Sequence, residues 1–173
     1  CSGLVGSEMC IRDRGARELA AEMNQEHLAL ELEDPSSWRN PEVFPQRTGV
    51  ASVEDQLRTE IESIIRMERE PEAQLARRIE FARIRLDLVL EEHGMTAEDL
   101  EGKVQYHPTT FRDLEHTGCH LPFDLCQRWI ELHALRTELV ERNLYLVLIN
   151  VERYAHLKVS RLDLIQEGST AVS

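Results

Sequence analysis

The chain is predicted to be all-α, and three observations lead there. Apolar residues recur at spacings of three and four over long stretches, the period of one face of a helix. Ser or Thr followed three positions later by Asp, at Ser52, Thr96 and Ser160, marks helix starts. Apolar residues make up 42% of the 173-residue chain but aromatic residues only 5%, so the interior is built of Leu, Ile, Val and Ala.

In chain order, residues 1–14 (Cys-Ser-Gly-Leu-Val-Gly-Ser-Glu-Met-Cys-Ile-Arg-Asp-Arg) carry no initiating Met, no signal-peptide pattern and no periodicity. They resemble the translation of a sequencing adaptor and are expected to lie outside the natural fold. A short helix is predicted over residues 15–24. The wider stretch 15–52 is expected to be a largely disordered linker, because Pro35, Ser36, Ser37, Pro41, Pro45 and Gly49 interrupt it too often for regular structure.

Ser52 and Asp55 should cap a helix running to about Met67, with Val53, Leu57, Ile61, Ile64 and Ile65 on its buried stripe. Pro71 suits the first turn of a second helix, whose stripe is Leu75, Ile79, Ala82, Leu86 and Leu90 and which Gly94 ends. Residues 53–94 therefore read as a helical hairpin. Residues 95–122 form a variable connection, with a short helix capped by Thr96 and Asp99 and a turn of helix near Phe111. From Phe123 one long helix is predicted to reach about Ala155. Its stripe is Leu125, Trp129, Leu132, Leu135 and Leu139, continued by Leu144, Val147, Leu148 and Val151. Trp129 is assigned to the core.

Charge narrows the function classes. Twenty Lys and Arg face 32 Asp and Glu, a formal net charge of −12. Free-standing DNA binders carry a basic stripe that neutralises phosphates, and none is visible. An acidic chain steered to a basic protein surface fits better. His116, Cys119, His120 and Cys126 lack the close Cys-x-x-Cys pair of a zinc site, so no metal or other cofactor is expected and the cysteines are read as free thiols of a cytoplasmic protein. No apolar run is long enough to span a membrane. Phosphate loops, nucleophile elbows and His-Glu-x-x-His runs are missing, and an enzyme is not expected.

The most informative segment is the end of the chain. Ser160 and Asp163 should open a helix near Arg161. On it Asp163, Gln166 and Glu167 stand at i, i+3 and i+4, on one face, with Leu162 and Ile165 buried on another. Two carboxylates and an amide in one patch can accept several charge-assisted hydrogen bonds from Arg or Lys of a partner.

Residues 162–168, Leu-Asp-Leu-Ile-Gln-Glu-Gly, together with the preceding apolar helix carrying Asn143-Leu144 and Tyr154, resemble the start of region 2 of bacterial sigma-70 factors. Residues 72–80, through Leu75, Ala76, Arg78, Ile79 and Glu80, resemble sigma region 1.2. The resemblance covers about a third of the chain. It implies that residues 53–94 are a region 1.2 hairpin and that residues 123–173 are the first helices of region 2, cut short at the C-terminus. It further implies that Asp163, Gln166, Glu167 and Ser169 bind the basic coiled coil of the β′ subunit of core RNA polymerase, with promoter DNA engaged only in the holoenzyme. No DNA-binding residue is assigned, because residues 60–62 depart from the Tyr-Leu-x-Glu-Ile-Gly pattern of region 1.2. Tyr145 stands where Arg is common, Glu152 where Lys is common, Asn150 in place of an apolar residue and Ser169 in place of Asn, so a divergent sigma, or a copy under relaxed constraint, is implied rather than a housekeeping type. The competing reading is a helical protein–protein adaptor unrelated to transcription, with the motif a coincidence.

Overall fold

The computed structural model describes the backbone of residues 4–40, 52–100, 121–154, 156 and 159–172, with side chains described from Arg14 to Thr170. The protein is all-α. Seven α-helices are described: α1 (Leu4–Gln25), α2 (Val53–Glu62), α3 (Arg69–His93), α4 (Ala97–Leu100), α5 (Phe123–Asn143), α6 (Tyr145–Arg153) and α7 (Arg161–Val172), with a 3₁₀ turn at Pro35–Trp38. The chain divides into two compact units, one made of residues 1–32 and 74–135, the other of residues 33–73 and 136–173.

In the first unit, α3 presents Leu75, Ala82, Leu86, Val89 and Leu90 and α5 presents Leu125, Ile130, Leu132 and Leu135 as buried residues. The helix-period stripes thus account for most of this interior. At the end of α3, Gly94 takes φ 62, its N–H bonds to the Glu91 carbonyl at 3.2 Å and the Met95 N–H to the Leu90 carbonyl at 2.9 Å. That pair of bonds is a Schellman ending, which needs a left-handed residue and so a glycine. The Thr96 N–H bonds to Asp99 Oδ2 at 2.8 Å, starting α4 and burying Leu100 completely.

In the second unit, Ser52 and Asp55 form the reciprocal capping box at the start of α2. Ile61, Val147, Leu148, Val151 and Ile165 make a buried cluster, with Leu57, Leu144, Tyr145 and Leu164 packed on it. Helices α2, α6 and α7 thereby hold one another.

The structure differs from the sequence-based expectations at several points. The first helix is not confined to residues 15–24 but runs from Leu4 to Gln25, propagating through the stretch expected to lie outside the fold. Elongation adds a hydrogen bond for each residue ordered, so a helix nucleated at 15–24 extends readily. Helix α2 stops at Glu62, five residues short of Met67, because Ile64 forms an isolated antiparallel bridge with Arg39. Val53 and Ile65, placed on the buried stripe, are exposed. The linker expectation fails over residues 26–40, where Trp38 is 3% exposed and donates from Nε1 to Glu141 Oε2 at 2.9 Å. The Ile65 N–H bonds to the Trp38 carbonyl at 2.7 Å and the Asn40 N–H to that of Ser63 at 2.9 Å. These pairings satisfy backbone groups of the segment that follows the 3₁₀ turn. Residues 41–51, the rest of the predicted linker, lie outside the described residues.

The single long helix expected from Phe123 to Ala155 is two. It breaks at Leu144, whose N–H bonds back three residues to Glu141 at 3.1 Å, while Asn143 Nδ2 bonds to the Leu139 carbonyl at 2.9 Å. A side chain competing for a helical carbonyl and a tightened turn are recognised causes of such breaks. Cys126 is disulfide-bonded rather than free, and the other three cysteines lie outside the residues whose side chains are described. The zinc alternative loses a thiolate, and its remaining members, His116, Cys119 and His120, also lie outside the described residues, as does the turn predicted near Phe111.

Candidate functional site

Helix α7 carries the residues singled out from the sequence. It begins where Ser160 Oγ accepts from the Asp163 N–H at 3.4 Å and the Leu164 N–H bonds to the Ser160 carbonyl at 3.1 Å. Ile165, 2% exposed, fixes the helix's inner face in the α2–α6 cluster, and Leu162 and Leu164 are half-buried beside it. The opposite face follows from the helical period: Asp163, Gln166 and Glu167 are exposed together. Asp163 also lies in the first turn, where a negative charge complements the helix dipole.

Two arginines of the same unit pair with other carboxylates. Arg161 turns from α7 to Glu54 on α2 at 3.7 Å, and Arg58 pairs with Glu152 and with Glu62. Among the described residues no ion pair engages the Asp163 or Glu167 carboxylate. Ser169 stands apart from the other three: it is half-buried and already engaged by the protein itself.

Two residues of α6 have partners within the same unit. Glu152 pairs with Arg58 of α2. Tyr145 has the Arg66 guanidinium 4.4 Å above its ring. Asn150 is exposed and bonds to the Leu146 carbonyl at 3.0 Å.

Sequence reasoning missed two features. The first is Gly168, where an added Cβ would stand 2.7 Å from Val147 Cγ1. Gly in a helix interior costs about 1 kcal/mol relative to Ala, and here it permits close approach of α7 to α6. The second is a buried ionic cluster in the first unit: Arg85, Arg128 and Glu131, which are 0%, 2% and 3% exposed. Arg85 Nη1 and Arg128 Nη1 lie 3.1 and 2.9 Å from Glu131 Oε2. The Leu30 N–H bonds to Glu131 Oε1 at 3.1 Å, and the Leu28 carbonyl accepts from both guanidiniums. Burial pushes the Glu131 carboxyl above its ordinary range, against the pull of Arg128 and the Leu30 N–H. The available signal was Arg85 between Ala82 and Val89, a charge standing beside an apolar stripe.

The chain matches no protein-family model, no curated protein and no solved structure. Among the described residues no helix is long and apolar enough to cross a membrane.

Proposed function

We propose that the chain is a docking subunit that acts by binding a larger machine through the α7 ridge. More particularly, we infer a sigma-70-type factor, in which Asp163, Gln166 and Glu167 grip the basic β′ coiled coil of core RNA polymerase and direct initiation at promoters. The observation that carries this reading is the exposure of all three acceptors on one helix face while the adjacent arginines pair with other carboxylates. Charge-assisted bonds to a row of Arg or Lys would give such a face both affinity and register. Ser169 contributes by ending the patch rather than by reaching out, since it is half-buried. Promoter DNA would be engaged only through the holoenzyme, in keeping with the −12 net charge. The chain performs no chemistry of its own in this scheme and needs no cofactor. Its site of action would be the cytoplasm, where the Cys126 disulfide is open to reduction.

Capture of core polymerase by the chain tests the proposal. Glu167→Lys sets like charge against the basic rod and should weaken capture, whereas Glu98→Lys, at an exposed acid on α4, should not. Equal capture by wild type and Glu167→Lys would sink the polymerase assignment and favour the adaptor.

A further inference from the structure

In the first unit, the described part of α1 from Arg14 onward and the strap behind it make polar links to α3 and α5. Ala20 is the fully buried apolar side chain described on α1, while Leu19 and Leu28 are 51% and 52% exposed. Asn24 makes two bonds to Arg85, donating from Nδ2 to its carbonyl at 3.0 Å and accepting at Oδ1 from Nε at 3.0 Å. The strap then lays the Leu28 carbonyl on Arg85 and Arg128 and the Leu30 N–H on Glu131, and the Glu31 carbonyl takes a bond from Arg78. The Arg17–Glu91 pair is exposed and adds little. In the same unit α3 buries Ala82, Leu86, Val89 and Leu90, and α5 buries Leu125, Ile130, Leu132 and Leu135.

A buried ionic cluster costs much of its own attraction in desolvation, so it fixes geometry more than it stabilises. Elements with few buried apolar contacts open at lower free energy than the core they rest on. We propose that residues 14–32 form a latch that opens as one body while α3 and α5 of the same unit stay folded. The latch is closed by Asn24, Leu28 and Leu30 acting on Arg85, Arg128 and Glu131. Opening turns two guanidiniums and one carboxylate toward solvent, a cationic spot on a strongly acidic chain, and closing hides it.

Amide hydrogen exchange on the full chain tests the latch. Hydrogen-bonded amides of α1 from Arg14 onward should exchange together and at least about ten-fold faster than those of α3 around Leu86 and α5 around Ile130. Asn24→Ala, which removes both bonds to Arg85, should speed the α1 amides by roughly ten-fold more and leave α3 and α5 unchanged. Leu30→Pro, which deletes the N–H donor to Glu131 from the strap side, should do the same. If α1 exchanges at the rate of α3 and α5, or if either variant speeds all three helices equally or none, α1 is an integral part of the core and there is no latch.

Discussion

Gly168 and Val147 meet at a close approach of α7 to α6. The valine Cγ1 occupies the space a Cβ at 168 would need, 2.7 Å away. This contact lets α7 lie close on α6, and with Ile165 buried below, it turns Asp163, Gln166 and Glu167 outward.

Gly168→Ala should therefore destabilise the protein, although alanine is the better helix former by about 1 kcal/mol. Overpacking costs about 1–3 kcal/mol, so a net loss of about 1 kcal/mol is expected in urea denaturation. Adding Val147→Ala frees the space, and the double variant should be more stable than the sum of the two single losses predicts. Strict additivity would mean the two helices relax apart without cost.

Changes on the ridge should separate binding from folding. Glu167→Lys and Gln166→Ala lie on an exposed face, and each should alter stability by no more than about 0.5 kcal/mol. Asp163→Ala should cost about 0.5 kcal/mol more, through the lost interaction with the helix N-terminus. Helix content by circular dichroism should stay constant through the series, so that any loss of polymerase capture is assigned to the surface.

Trp38→Ala should cost about 3–5 kcal/mol, the loss typical of a buried aromatic. Trp38→Phe should keep most of the packing and lose about 1 kcal/mol with the Nε1 bond to Glu141. A change in denaturation midpoint too small to measure for Trp38→Ala would show that the segment is the free linker its prolines suggest.

Glu131 makes stability depend on pH in a direction opposite to most carboxylates. Burial raises its folded-state pKa above the ordinary 4.5, so folding favours its protonated form. Its contribution is then fully present below the unfolded value and is lost as pH rises through the folded value. Denaturation measured from mildly acidic toward neutral pH should show this decline in the wild type, and Glu131→Gln should flatten it. An unchanged slope would place the effect on another group.

The amino-acid sequence by itself determined the helical class, the capping box at Ser52, the Thr96–Asp99 helix start, the glycine stop at Gly94 and the outward face of α7. These rest on bonds within a few residues and on the helical period, which neighbours in the chain dictate. Only the tertiary structure decided what each face meets. Trp38 is drawn out of a proline-rich stretch because Glu141 and the Ser63–Ile65 backbone supply partners more than twenty residues away in sequence. Arg85 is tolerated among Leu86 and Val89 because Asn24, Leu28 and Glu131 arrive from other elements to satisfy it. The break at Leu144 and the glycine at 168 belong to the same class. A charge, a bend or a missing side chain has no local signature, since its cost is offset by atoms that only folding brings near.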